Sequence, residues 1–365
     1  MNNLNIGLPA YPCKEDMWDK IAKEKRPIVC YGMGNGADKL IERLQRYGVE
    51  IADFFASDGF VRGHSFHGKR VLSYSEVKEK YSDFVILLSF ASNRDEVLSL
   101  LAKVNSENEM YIPDMPVAGE EYFDKDFYNN NYARIIDAFN VLCDEQSKET
   151  FASVINYKLF GKMDYLENAY CTRDELYEIL PCEKIQNIVD AGAYNGDTLR
   201  EAKLYFNNLK TALAIEPDKR NFKKLTKYTE AESDFLIKAE NAAVWCDSGF
   251  GVFSASGNRN STLAATASFE HSDGEVRLAS IDSLADCRID YIKYDVEGAE
   301  LEGLSGADRV IRDCRPSMLV SAYHRSRDIF SLVNYISEHY PFYKIYMRRL
   351  RCVPAWELDV LAVSK

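Results

Sequence analysis

The run Val189-Asp190-Ala191-Gly192-Ala193-Tyr194-Asn195-Gly196-Asp197-Thr198 constrains this chain more than any other. An apolar strand, Ile185 to Val189, breaks into a glycine turn and then opens a helix, the signature of a parallel α/β sheet. Gly192 and Gly196 allow the backbone to reverse tightly and a ligand to come close. A dinucleotide site uses such a turn to set a pyrophosphate on the next helix N-terminus, where positive partial charge favours an anion. Here the turn carries Asp190 and Asp197, which repel a phosphate and suit hydroxyl, amine or sulfonium groups. Glu216 follows about 20 residues after the turn, closing Ala212-Leu213-Ala214-Ile215, where an acid accepts hydrogen bonds from ribose hydroxyls.

A third acidic strand end comes from Tyr291-Ile292-Lys293-Tyr294-Asp295-Val296-Glu297-Gly298-Ala299-Glu300. Three acidic strand ends in one α/β unit point to a nucleoside without phosphate, S-adenosylmethionine rather than NAD. A plain strand-to-helix turn beside a solvated Glu216 is the competing reading. The ordered series Asp190 to Thr198, Glu216-Pro217, Ile281-Asp282-Ser283-Leu284, Ile292 to Glu300 and Tyr323-His324 resembles the motifs of the FkbM-type methyltransferases. The resemblance covers Ile185 to Lys365. Upstream, Glu145-Gln146-Ser147-Lys148 and Asn168-Ala169-Tyr170 resemble the leader of larger members. It implies a class I methyltransferase (Rossmann-like) sheet and methyl transfer from S-adenosylmethionine, usually to oxygen on sugar-derived or natural-product acceptors. It also implies cofactor contacts from Asp190, Gly192, Ala193, Asn195, Asp197, Thr198, Glu216, Pro217 and Asp295. Asn260, Ser261 and Thr262 match a short pattern of the family and are expected near the cofactor or acceptor.

The third strand of the unit, Asp234 to Ala239, ends in Glu240 and Asn241, the candidates for the adenine edge. Val244 to Phe253 reads as a strand pair turning at Asp247-Ser248-Gly249. The strand Asp290 to Tyr294 delivers Asp295, Glu297 and Glu300 to the carboxyl edge of the sheet, where open α/β folds bind ligands. A hydroxyl acceptor benefits from a base that takes its proton, and Asp295 is the candidate base or orienting acceptor, with Glu297 beside it. Clustered carboxylates raise one another's pKa, which suits that task. Glu300 is equally readable as a first-turn helix acid. His324 follows the strand Met318 to Tyr323 and should emerge on the same edge, where an imidazole accepts a proton at neutral pH. Hard cations also favour such carboxylates, but methyl transfer does not demand one, and no metal is expected.

Upstream, Pro27 to Tyr31 reads as a strand, Gly32-Met33-Gly34-Asn35-Gly36-Ala37 as a glycine turn and Asp38 to Tyr47 as a helix. Strands over Glu50 to Ala56, Phe84 to Ser89 and Met110 to Ile112, with a helix at Arg94 to Lys103, complete a smaller Rossmann-like unit. The turn fits G-x-G-x-x-A, and Asp58 lies where a ribose-binding acid would. This unit reads as a nucleotide or nucleotide-sugar holder, an NAD site, or a scaffold. Its carrying the main activity is the alternative to methyl transfer. His64 and His67 lack a third ligand and read as surface residues.

The expected division is 1–118 Rossmann-like, 119–182 helical connector and 183–365 methyltransferase. In the connector, Glu120 to Asn131 looks polar and turn-prone. Helices over Arg134 to Cys143, Phe151 to Leu159 and from the capping box Thr172-Arg173-Asp174-Glu175 to Pro181 are expected across the mouth of the larger sheet. Tyr170 or a neighbour is a candidate for closing the cofactor pocket.

With 365 residues and a net charge of −12, the chain fits two or three domains and offers no general attraction to nucleic acid. Arg348-Arg349-Leu350-Arg351 is its densest basic cluster and reads as a solvated strand end. No apolar run approaches a membrane span, and Met1 to Cys13 lacks signal-peptide character. Nine scattered cysteines without a C-x-x-C pair fit reduced cytoplasmic thiols. The partner expected is a small-molecule or carbohydrate acceptor, with a homo-oligomer compatible.

Overall fold

The computed structural model describes residues 7–61, 63–167, 169–254, 262–268 and 275–365, with only the backbone described at Phe60, 252–254 and 262–268. Asn168, Asn260 and Ser261 lie outside the described residues, as does the side chain of Thr262.

After a short helix, α1 (Met17–Lys23), the first sheet comprises β1 (Ile28–Tyr31), β2 (Asp53–Ala56), β3 (Leu72–Ser73), β4 (Val85–Leu88) and β5 (Glu109–Tyr111). All are parallel, in the order β3-β2-β1-β4-β5. Helices α2 (Asn35–Gln45), α3 (Tyr74–Lys80) and α4 (Asp95–Glu107) connect them. Strands β1, β2 and β4 are buried at every position, as expected where helices cover both faces of a parallel sheet. The strand order reverses between β1 and β4, and ligands bind at such a crevice in open α/β sheets.

The stretch that looked turn-prone instead opens α5 (Lys125–Val141). Asp124 caps it by accepting from the Phe127 amide at 2.9 Å, and the buried Tyr128 donates its hydroxyl to the Pro9 carbonyl at 2.7 Å. Helix α6 (Glu145–Phe160) ends at Gly161 in the left-handed region. The short α7 (Asp164–Glu167) and α8 (Arg173–Tyr177) follow. The capping box at Thr172 is present, but α8 stops four residues before Pro181.

The second sheet contains β6 (Asn187–Ala191), β7 (Thr211–Ile215), β8 (Leu236–Glu240), β13 (Tyr291–Tyr294), β14 (Ser317–Ser321), β15 (Tyr343–Arg349) and β16 (Leu358–Ser364). Its order is β8-β7-β6-β13-β14-β16-β15, with β16 antiparallel to both neighbours. Helices α9 (Asp197–Tyr205), α10 (Lys219–Ala231), α11 (Glu300–Ser305), α12 (Asp308–Cys314) and α13 (Asp328–His339) join the strands. A separate four-stranded sheet is formed by β9 (Ala243–Val244), β10 (Gly249–Ser254), β11 (Thr262–Ser268) and β12 (Glu275–Ala279). β9 and β10 are not the expected pair: β12 lies between them, parallel to one and antiparallel to the other.

Of the connector helices, α5 and α6 pack on the antiparallel side of the large sheet rather than across its mouth, whereas α8 reaches the mouth as expected, with Arg173 and Tyr177 on the cavity there. Ser147 of α6 accepts from the Met347 amide of β15 at 2.9 Å, and Asn334 of α13 donates to the Arg134 carbonyl of α5 at 2.9 Å. This contact also corrects the reading of the basic cluster. Arg348 and Arg349 are buried; Arg348 pairs with Asp144 at 2.7 Å, and Arg349 donates to the carbonyls of Ala169 at 3.0 Å and Cys352 at 2.8 Å. Only Arg351 projects outward, over the exposed ring of Tyr170. Among the described residues no helix is long and apolar enough to cross a membrane.

Candidate active site

The carboxyl ends of β6, β7, β13 and β14 surround a cavity of about 640 Å³. At its centre two loops touch. Gly192 has φ +90°, and a Cβ built there would lie 1.9 Å from the Asp295 carbonyl oxygen, so any other residue would push the loop after β6 off the loop after β13. The Asp295 amide donates to the Ala191 carbonyl at 2.9 Å and completes the joint.

Glu216, at the end of β7, is buried and organises the wall. Its two oxygens accept one amide each, from Tyr194 and Asp218, both at 2.8 Å. Further lone pairs remain on each oxygen. Burial pushes its pKa up to about 7 against those two hydrogen bonds. Asn241 donates from its amide to the carbonyls of Glu216 at 2.8 Å and Pro217 at 3.1 Å, bracing the loop from behind.

Asp190 and Lys293 are register partners on adjacent strands and share a face of the sheet. Lys293 donates to the Thr198 hydroxyl at 2.9 Å and to Asp295 at 3.3 Å. Asp190 is buried with neither carboxylate oxygen hydrogen-bonded. Burial pushes it up to about 7 despite the nearby Lys293 charge.

The loop after β13 folds over its own acids. Glu297 has φ 53° and Gly298 φ 100°, and the Val296 and Gly298 amides donate to Glu300 at 3.1 and 3.3 Å. His324 is fully enclosed: its Nδ1 lies 2.9 Å from Glu300, and its Nε2 lies 3.5 Å from Asp295 and 3.4 Å from Glu297. Burial alone would lower the imidazole pKa, but Glu300, Asp295 and Glu297 raise it to about 10. The expectation of a neutral histidine is therefore corrected: it is an imidazolium clamped by three carboxylates. Asp295 is pushed up by burial, but Lys293, His324 and the Tyr323 hydroxyl, which donates at 3.2 Å, leave it below the usual carboxylate range. Among the described residues no group of His, Cys, Asp and Glu is arranged to hold a metal.

Of the residues expected at the site, Gly192, Asp197, Thr198, Glu216, Pro217, Asp295 and Glu297 line the cavity. Asp190, Ala193, Asn195, Glu240, Asn241 and His324 do not. Asp190, Ala193 and His324 are buried in the layer behind. Asn195 accepts from Arg200 at 3.2 Å, and Glu240 accepts from Arg277. Ala243 and Val244 of β9 line the wall where Glu240 and Asn241 were expected. Tyr170 is absent from the lining, and Arg173 and Tyr177 of α8 stand there instead. Lys293 and Asp359 also went unrecognised, although each is a lone charge inside an otherwise apolar strand, an anomaly that marks a site in a buried sheet.

A second cavity, about 500 Å³, lies at the β1/β4 crevice and shares Glu297, Tyr323 and Glu357 with the first. Asp58 is not part of it. That carboxylate accepts from the Ser75 amide at 3.2 Å and hydroxyl at 2.8 Å, capping α3, so the acid expected for an NAD ribose is engaged elsewhere. His67 pairs with Asp38 at 2.7 Å on the surface.

A parallel sheet with one reversed strand, β16, inserted between β14 and the edge strand β15, and with acids at the ends of β6, β7 and β13, is the class I methyltransferase architecture. Residues 190–343 match the Methyltransferase FkbM domain, so this part of the chain is a methyltransferase domain of the FkbM type. The structure of methyltransferase FkbM from Methylobacillus flagellatus superposes with a TM-score of 0.69 at 20% identity, covering 98% of this chain and 94% of that one, so both sheets and the connector share its fold. An rRNA methylase from Streptococcus thermophilus (TM-score 0.33, 11% identity) covers 52% of this chain and 92% of its own. A precorrin-6y C5,15-methyltransferase from Geobacter metallireducens (TM-score 0.33, 11% identity) covers 54% and 92%. No curated protein matches the chain.

Proposed function

We propose that the protein methylates a hydroxyl of a sugar-containing acceptor, with Asp295 and Glu297 facing the reacting oxygen. The observation that carries this reading is the carboxylate pair at the cavity, backed by a buried imidazolium. The residues fit S-adenosylmethionine. Asp197, on the cavity lining, suits a cationic amine, the remaining lone pairs of Glu216 suit ribose hydroxyls, and the glycine turn admits close approach. When bound, that cofactor supplies a sulfonium methyl carbon, to which the acceptor oxygen bonds as the carbon–sulfur bond breaks.

The chain's own groups divide the remaining work. Asp295, kept ionised by Lys293 and His324, accepts the acceptor hydroxyl's hydrogen bond and aims its lone pair. Glu297 takes the proton. His324 touches neither substrate nor cofactor and is a positioning residue: its fixed positive charge holds three carboxylates that would otherwise repel one another.

Turnover of labelled S-adenosylmethionine against a panel of sugars and glycoconjugates tests this. Asp295→Asn and Glu297→Gln should each lower kcat by about 100-fold or more while leaving S-adenosylhomocysteine affinity within about threefold. Full turnover in Glu297→Gln would remove it as the base. Failure of the wild-type protein to bind S-adenosylhomocysteine would end the cofactor assignment.

A further inference from the structure

The cavity above Asp295 continues into the crevice of the N-terminal sheet. Glu297, Tyr323 and Glu357 line both spaces. On the far side, Met33, Lys39 and Phe90 belong to the β1 turn, α2 and the segment after β4, while Trp356 comes from the β15–β16 connection. The floor is rigid: a Cβ on Gly36 would lie 2.1 Å from the Ser89 carbonyl oxygen, so α2 presses against the end of β4. Backbone hydrogen bonds between Ser92 and Val353, at 2.8 and 3.0 Å, and from the Ala118 amide to the His324 carbonyl, at 2.8 Å, tie the N-terminal segments to the methyltransferase loops.

The two ends of this groove carry opposite charge. Glu297 and Glu357 stand at the reacting end. At the other, the Arg94 guanidinium is engaged by Glu96, whereas the Lys39 ammonium meets only the Pro116 carbonyl, at 2.9 Å, with no carboxylate among the described residues in ion-pair range. Lys39 is half-buried, and burial pushes its pKa down. A partly desolvated cation without a counter-charge is a ready partner for an anion. Phe90, Trp356 and Met33 offer apolar surface between the two ends, as small-molecule sites commonly do.

We propose that the crevice of the N-terminal sheet is the acceptor site, and that it takes a sugar bearing an anionic group, phosphate or carboxylate, held at Lys39 while a ring hydroxyl reaches Asp295 and Glu297. This rests on the methyltransferase reading above and extends it to the acceptor's charge. The missing ribose acid argues against NAD in the same space, since Asp58 caps α3.

Isothermal titration of the full chain, saturated with S-adenosylhomocysteine, tests the proposal with four probes: UDP-glucose, glucose 1-phosphate, glucuronic acid and glucose. At least one anionic sugar should bind about tenfold or more tightly than glucose, and which one binds separates a phosphate from a carboxylate. Lys39→Met should weaken that probe by about tenfold, and Met33→Glu, at an exposed position on the same wall, should weaken it as well. Both variants should keep the S-adenosylhomocysteine affinity and melting temperature of the parent. Equal binding of glucose, no binding of any anionic probe, or affinity unchanged by both variants would overturn the acceptor site. Loss of S-adenosylhomocysteine binding in the parent would instead overturn the methyltransferase reading.

Discussion

Glu216, on the cavity wall, titrates at about 7, raised chiefly by burial. If its charged form receives the cofactor, ligand must displace a proton below that pH and need not above it. The affinity for S-adenosylhomocysteine should therefore rise from about pH 6 to about pH 8 and then level off, with proton release on the acid side. Titration calorimetry in buffers of different ionisation enthalpy reads both, and a flat affinity profile would contradict the assignment. His324 has the opposite sign. Its pKa is raised to about 10, so its contribution to stability is complete below its ordinary pKa of about 6.5 and is lost as pH climbs through about 10. Replacing it by Asn strands Glu300 and two further acids and should cost about 3–5 kcal/mol in urea unfolding. A cost under about 1 kcal/mol would mean that the clamp does little. The acids were legible because they stood at strand ends. The protonation state of His324 was not, because it depends on three carboxylates that only folding brings together.

Strands and their turns were the most readable elements. Strands β6, β7, β8, β13 and β14 begin and end within a few residues of expectation, since short apolar runs bounded by turn residues leave little freedom. The connector was harder. Nothing local in Tyr122 to Asn131 reveals that Asp124 will cap a helix or that Tyr128 will be buried against a distant carbonyl. Both glycine turns press one glycine against a facing carbonyl, Gly192 against Asp295 and Gly36 against Ser89, but Gly34 is free of neighbours, which gives a direct comparison. Gly192→Ala must displace the Asp295 backbone and should cost at least about 3 kcal/mol, with loss of cofactor binding. Gly34→Ala meets nothing within 4 Å and bears only the strain of its φ of +99°, about 1–3 kcal/mol. Chemical denaturation of the pair would refute this if Gly34→Ala proved the more damaging.

Across the whole molecule, one apolar core runs from Val29 and Ile86 through Phe151 and Ile155 of α6 to Val320 and Ile345. Sequence patterns show three segments of different period, but they do not show side chains from all three sharing one interior. Calorimetry should record a single cooperative melting transition for the full chain, and two well-separated transitions would show that the segments unfold independently. The alternating strands and helices made both sheets legible. Their relative placement was not, because it rests on buried arginines and on backbone pairs far apart in sequence.

The pairing of Ser92 with Val353 fixes how a guest can enter. Two reciprocal backbone hydrogen bonds make a short ladder, so the two sheets cannot swing apart on a hinge without first breaking it. Entry and exit then fall to side-chain rotations at the rim, on the picosecond-to-nanosecond scale, rather than to slower rigid-body closure. An enzyme built this way selects by the standing outline of its groove and the charges along it, and its catalytic rate should be indifferent to cross-links that staple the two sheets together.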